Sequence, residues 1–353
     1  MFKRRFTAAL AAAVLVGVAA AAAAAAAAES GWRDVLDTPA APSALASRSL
    51  LLGLARAGTS IVAVGQRGHA IVSDDAGQSW TQAKMPVSSD LVAVSFPSAK
   101  AGWAVGHDGV VLHSADGGRS WALQLDGRKL GELLIAYYKA AGDEKWLAEA
   151  QRFAAQGAEN PFLDVWFEND TTGWVVGAFG LVLRTEDGGT HWTPMMHAAE
   201  NPKSLHLYAV RGVAGDVYFV GEQGTALKLD RAAAKLRALE LPYKGTLFGV
   251  TGSEAAVVAF GLRGTVLRST DRGRSWQPVP TGVAVGLTAS TVDEQGALVI
   301  VSQAGHVITS RDNGASFTPV KVERPTPAAA VVAAGKGALV LAGPRGVQAV
   351  AMP

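Results

Sequence analysis

The sequence predicts an all-β fold, a ring of seven four-stranded blades, on three observations. A β-rich run ending in Gly-x-x-Gly occurs seven times: IVAVGQRG (61–68), GWAVGHDG (102–109), GWVVGAFG (173–180), VYFVGEQG (217–224), VVAFGLRG (257–264), LVIVSQAG (298–305) and LVLAGPRG (339–346). A second motif, Ser/Thr-x-Asp-x-Gly-x-x-aromatic, follows five of them: SDDAGQSW (73–80), SADGGRSW (114–121), TEDGGTHW (185–192), STDRGRSW (269–276) and SRDNGASF (310–317). Glycine is abundant, at 40 of 353 residues, as many tight turns require. A period near 40 holding four short strands is the signature of a β-propeller blade.

The first turn positions are Gly65, Gly106, Gly177, Gly221, Gly261, Ser302 and Gly343, separated by 41, 71, 44, 40, 41 and 41 residues. One interval is about 30 residues too long, which marks an insertion. The second copy shows the four strands: a, LVAVSF (91–96); b, GWAVG (102–106); c, VVLHS (110–114); d, SWALQL (120–125). Such Val-, Leu- and Trp-rich runs between Gly, Asp and Pro turns read as strands. Both glycines of Gly-x-x-Gly are expected to supply the positive φ of a tight hairpin. The seventh copy ends after strand c, and GWRDVLDTP (31–39) reads as an orphan strand d with Trp32 in the aromatic place. The N-terminal strand is therefore expected to close the last blade and remove its exposed edge.

Residues 1–28 read as a signal peptide: Lys3, Arg4 and Arg5, then an apolar run from Phe6 to Ala28. A retained membrane anchor is the alternative. The formal charge is +2, and about −1 once that segment, with its three basic side chains and no acidic one, is removed. No concentrated positive face for nucleic acid is expected. The chain has no cysteine, which excludes disulfides, thiolate zinc sites and a thiol nucleophile. The expected organisation is a signal peptide at 1–28 and a monomeric propeller at 29–353, with a helical insertion at 128–161 between blades 2 and 3.

Repeats of the form Gly-Trp-Ala-Val-Gly-x-x-Gly-x-(Ile/Val)-x-x-(Ser/Thr)-x-Asp-Gly-Gly-x-x-Trp resemble the Asp-box (BNR) repeats of the photosystem II assembly/stability factor family, over about residues 32 to 353. That resemblance implies a non-enzymatic, chaperone-like factor that holds membrane-protein subunits, with an arginine patch on one face. The chain departs from cyanobacterial members in lacking the lipoprotein cysteine and in carrying the segment at 128–160. It is more similar to proteobacterial relatives associated with RND-type transporters. The implied partner is a membrane-protein complex or a transporter subunit, met in the periplasm, with no cofactor and no small-molecule substrate.

In each Asp-box the Asp is expected to accept backbone N–H groups of its own turn, and the aromatic to lie between sheets. Asp75, Trp80, Asp116, Trp121, Asp187, Trp192, Asp271, Trp276, Asp312 and Phe317 are thus fold residues. One carboxylate per turn is too few for calcium. Blade 4, with LDRAAAKL (229–236), has lost most of the motif. In a propeller the b–c and d–a connections share one face, and the Asp-boxes, as c–d connections, lie on the other. The residue before the second Gly is Arg67, Asp108, Phe179, Gln223, Arg263, Ala304 and Arg345, blade by blade. Arg67, Arg263 and Arg345 fall on one arc and suit an anionic docking patch. Asp108 and Glu222 lie on the other arc. Nucleotide binding is not expected, because these turns join strand to strand rather than strand to helix.

The insertion carries Leu130, Leu133, Leu134, Tyr137 and Tyr138 at helical spacing, a break at Gly142, then Asp143 as N-cap of a second helix with Trp146 on its apolar face. Tyr137, Tyr138 and Trp146 are candidate partner contacts. The channel-lining copies of strand a, LVAVSF, FLDVWF, LYAVRG, LFGVTG and LTASTV, hold only Asp164 and Arg211 as charged members, and Arg211 joins the docking set. The enzymatic alternative is a sialidase-like glycosidase, which needs paired acidic groups and a Tyr–Glu nucleophile that the alignment of blades does not supply. His69, His107 and His306 come near the turn face, without ligand spacing for a metal.

Overall fold

The computed structural model describes residues 33–335 and 337–352. The expected signal peptide and Trp32 lie outside the described residues. Seven antiparallel sheets form a ring, six of four strands and the last of three. Blade 1 comprises Leu51–Ala57, Ser60–Gly65, Ala70–Ser73 and Thr81–Gln82, and blades 2 to 7 start at Leu91, Phe162, Leu207, Leu247, Leu287 and Ala330. Strand a of each blade touches strand a of the next, and blade 7 touches blade 1 in the same way.

Strand b is buried end to end in blades 1, 2, 3, 5 and 6. It has strands on both edges and sheets on both faces, so it reads as a continuous apolar run rather than an alternating one. The Asp-box aromatic of one blade packs on the blade before it. Trp80 lies with Val340 of blade 7, Trp121 with Val62 of blade 1, Trp276 with Tyr218 of blade 4, and Phe317 with Val258 of blade 5. Between blades 2 and 3, the fully buried Trp103 stacks on Phe167 at 3.6 Å and donates its indole N–H to Gln124 Oε1 and the Gly188 carbonyl. Burial of such rings, with the aliphatic side chains around them, stabilises the contacts between blades.

The closure of the ring differs from the expectation. The N-terminal strand does not complete blade 7, whose three strands are Ala330–Gly335, Ala338–Gly343 and Gly346–Ala351. Val35–Asp37 is instead a 3-10 turn, because the Asp34 carboxylate caps it by accepting the Leu36 N–H at 2.9 Å, and Leu36 is buried beside Val87 and Leu91. From there the chain runs as a strap around the outside of blade 1. Val35 O accepts Ser88 N, Met85 O accepts Ala40 N, and Gln82 bonds Ser43 and Ala41. The strap reaches blade 7 at Ser47, whose carbonyl lies 2.0 Å from where a Cβ on Gly346 would sit.

The insertion folds as two helices, α1 (Gly127–Ala141) and α2 (Glu144–Ala155). Asp126 caps α1 by accepting Arg128 N and Lys129 N, and Asp143 caps α2 by accepting Trp146 N. Gly142, at φ 67°, makes the left-handed turn between them. Gly131 allows the helices to touch: a Cβ there would lie 2.9 Å from Ala154 Cα. Leu130, Leu134 and Tyr138 face Ala150 and Phe153 in one apolar cluster shared with blades 2 and 3.

The candidate docking face

The two faces of the ring are built differently. The Asp-box face is locked by local hydrogen bonds. In blade 1, Asp75 Oδ1 accepts Gln78 N at 3.0 Å and Ser79 N at 2.8 Å, Oδ2 accepts the Ser79 hydroxyl at 2.6 Å, and Trp80 donates to Gly77 O. Asp116, Asp271 and Asp312 repeat the pattern with Ser120, Ser275 and Ser316, while Asp187 uses His191. These bonds, the Ser79 hydroxyl foremost, hold the Asp75 carboxyl down at about 2. A folded pKa below the unfolded value of about 3.9 contributes stability that is full above pH ~4 and lost as pH falls through about 2. Asp75→Asn is therefore expected to melt earlier than wild type at pH 7, with the gap closing between pH 4 and pH 2. Thermal circular dichroism across that range reads it, and a gap that is constant with pH contradicts it.

The opposite face carries the Gly-x-x-Gly turns, and here one expectation needs correction. The first glycine is extended, with φ of −172° at Gly65 and −175° at Gly261, so it supplies no positive φ. It is needed for space: a Cβ on Gly261 would stand 2.2 Å from the Thr246 carbonyl, which accepts the next N–H, Leu262 N, at 3.0 Å. The same close approach recurs at Gly65, Gly106, Gly177 and Gly221. The left-handed positions are the second glycine and the residue before it, at φ 51° to 58° in blades 1 to 5. A backbone in that region aims the side chain outward from the turn, which leaves Arg67 and Arg263 exposed at their tips. Arg345 is exposed in the shorter Pro344-Arg345 turn of blade 7.

The guanidinium groups of Arg67, Arg263 and Arg345 have no ion-pair or hydrogen-bond partner among the described residues. Sequence reasoning missed two more of this kind. Arg48, in the strap, adjoins Gly346, and Arg324, in the connection from blade 6, lines a groove of about 530 Å³ with Arg345. Both sit outside the repeated turn, so an alignment of blades passes over them. For Arg324, a basic residue in a d–a connection was the available signal. On the Asp-box face the arginines have partners: Arg119 pairs with Asp74 at 2.9 Å and Arg231 with Glu168 at 2.6 Å across blades, while Arg274 donates to Asp271 O and Arg311 to Gln295 Oε1. Unpaired arginine is thus concentrated around blades 5, 7 and 1 of the turn face.

The helical hairpin starts at that face, where α1 follows strand d of blade 2, and lies along the outer edge of blade 3, so that Tyr137 comes beside Asp187, His191 and Thr193 of the Asp-box side. Tyr138 does not serve as a surface contact. Its ring is buried, 5.7 Å from Trp146, and its hydroxyl reaches His197 Nδ1 at 3.3 Å. Burial pushes its phenol well above the usual range. Helical periodicity placed it on the apolar stripe, and the stripe faces the propeller. Tyr137 and Trp146 are half-buried around it.

Strand a lines a central channel of about 370 Å³ whose charged lining residues, among the described residues, are Asp164 and Arg211. They form an ion pair with each other, and Asp164 Oδ2 also accepts Val210 N at 2.8 Å. Burial pushes the Asp164 carboxyl up, against the pull of Arg211. His69 and His306 bond to Ser49 and Ser302, and no three His, Asp or Glu side chains among the described residues gather to hold a metal. No helix among the described residues is long and apolar enough to cross a membrane.

The family model described as photosynthesis system II assembly factor YCF48 matches residues 72–153 and 151–326. The chain belongs to this YCF48 family. A curated relative, the photosystem II assembly lipoprotein Ycf48 of Synechococcus sp. (strain CC9902), is 26% identical over 129 residues, which is 35% of this chain and 38% of that protein. The match thus spans little more than a third of that relative's length. Among solved structures, one titled YCF48 bound to D1 peptide is similar with a TM-score of 0.64 at 15% identity, over 87% of this chain and 94% of its own. YCF48 from Cyanidioschyzon merolae gives 0.60 at 16% identity over 89% and 98%. The WD40 propeller domain of Doa1 gives 0.63 at 8% identity over 89% and 95%. A WD40 ring as similar as the YCF48 structures shows that these likenesses report the fold.

Proposed function

We propose that this YCF48-family propeller is a non-catalytic docking factor for a membrane-protein complex, binding through the turn face. The observation that carries the reading is the set of exposed, unpaired guanidiniums of Arg67, Arg263 and Arg345, joined by Arg48 and Arg324. A planar guanidinium left without an internal partner is ready for multidentate bonds to a partner's carboxylates. The membrane-protein partner follows from the family and from the titled relatives, one a photosystem II assembly lipoprotein and one bound to a D1 peptide. Export through residues 1–28 places the docking face outside the cytoplasm. The absence of catalysis is supported by the channel, where the one carboxylate and the one guanidinium neutralise each other.

Affinity capture of the tagged protein from solubilised membranes tests the reading. The Arg67→Glu/Arg263→Glu/Arg345→Glu variant is expected to recover at least tenfold less of the main partner than wild type. Equal recovery refutes the docking face. The identity of the captured subunit, from a photosystem or from an RND-type transporter, decides between the two partner classes. Turnover of a fluorogenic sialoside by the purified protein overturns the non-catalytic assignment.

A further inference from the structure

Blade 3 breaks the polar pattern of the turn tips. Where blades 1, 2, 4 and 5 present Arg67, Asp108, Gln223 and Arg263, blade 3 presents Phe179, in the left-handed region at φ 54°. A bulky aromatic is disfavoured there, and such outliers cluster at functional sites. Burial does not account for it: Phe179 is 45% exposed, the one aromatic among the exposed large apolar side chains of the described residues. Its ring starts a continuous strip. It meets Phe153 of α2 edge-to-face at 6.5 Å and His206 at 4.9 Å, and the line runs on to Tyr208 at 6.4 Å and Phe248 at 5.6 Å. Tyr208 and Phe248 line the channel beside Arg211. In a seven-membered ring, blade 3 stands across the channel from blades 6 and 7, where Arg324 and Arg345 lie.

We propose that the strip from Phe179 to Phe248, backed by the buried Phe153, is the apolar half of a peptide groove across the channel mouth, and that the arginines are its cationic half. The occupant is a short partner segment that carries a large apolar side chain near carboxylates. The inference rests on the docking reading and names the partner's chemistry. Charge sets one end of the occupant: the far side of the mouth offers unpaired guanidiniums, and only acidic groups complete them. Width sets its size: successive rings stand 4.9 to 6.5 Å apart in a single line, which offers contacts to one row of side chains.

Panning a random heptapeptide phage library on the immobilised purified protein tests the groove. Wild type is expected to enrich a consensus with an aromatic or large aliphatic residue within three positions of Asp or Glu. Phe179→Asn, chosen because Asn accepts the left-handed backbone, is expected to lose the apolar position and keep the acidic one. It should also melt no earlier than wild type. Fluorescence anisotropy with the wild-type consensus peptide should show at least tenfold weaker binding to this variant. The triple arginine-to-glutamate variant is expected to lose the acidic position and keep the apolar one. No consensus, or one that Phe179→Asn leaves intact, overturns the groove. A consensus that the arginine variant leaves intact overturns the docking face itself.

Discussion

Arg211→Met is expected to destabilise the propeller by about 3 kcal/mol in urea unfolding at neutral pH. Asp164 is the reason. Its side chain is 5% exposed, against 41% for Arg211, so the carboxylate depends on the guanidinium while the guanidinium can turn to water. Without Arg211 it keeps only the N–H of Val210 and the backbone around it. The partial exposure of Arg211 screens the pair and places the figure at the low end of the range for a broken buried pair. The sign with pH follows. A folded-state pKa raised by burial makes the charged carboxylate unfavourable above that pKa, and the defect is relieved as pH falls and Asp164 takes a proton. The double variant Asp164→Asn/Arg211→Met is expected to recover most of the loss. A single-variant loss below about 1 kcal/mol shows that the channel pair is only an exposed ion pair.

The second large effect is expected at Tyr138→Ala. The side chain is 1% exposed and joins α1, α2 and blade 3, so its removal leaves a ring-sized cavity where three elements meet. Losses of about 3 to 5 kcal/mol accompany aromatic-to-alanine changes in cores. Here the loss falls on the docking of the hairpin rather than on the ring, because the blades bury their own aromatics. Hydrogen exchange should therefore accelerate across residues 127–155 while the strands of blades 4 to 6 keep their protection. Tyr138→Phe, which gives up only a 3.3 Å bond to His197, should exchange like wild type. Uniform acceleration through all blades refutes the local character of the hairpin.

The ring itself was open to reading in the chain, because each blade repeats a predominantly apolar strand b and a turn that only certain residues can form. The hairpin was equally open, since Asp143 and Gly142 mark its break by local chemistry. What escaped were the choices made between distant residues. GWRDVLDTP has the pattern of an outer strand, yet the Asp34 carboxylate caps a turn and Leu36 finds a pocket under blade 2, and neither contact is written in periodicity. Tyr138 was taken with Tyr137 as surface because both are large and amphipathic; the helix phase, not the residue type, sends one inward. Asp164 and Arg211 were visible as isolated charges on strand a of blades 3 and 4. Only the ring, by making those strands neighbours, turns them into a pair. The strained Phe179 carried a signal in the sequence, since it is the one aromatic in a column of arginine, aspartate, glutamine and alanine.

The strap around blade 1 has a consequence for orientation. Val35 and Asp37 are held on the turn face, by Ser88 and by Arg128 at the head of α1. The first described residues therefore lie on the side of the unpaired arginines, while Met352, the last described residue, donates its N–H to Gly337 O on the other side. A tether fused directly ahead of Arg33 is expected to pull from the same side that binds. A leash of this geometry does two things at once: it raises the local concentration of the partner, and it removes the half of all encounters in which the disc would arrive upside down.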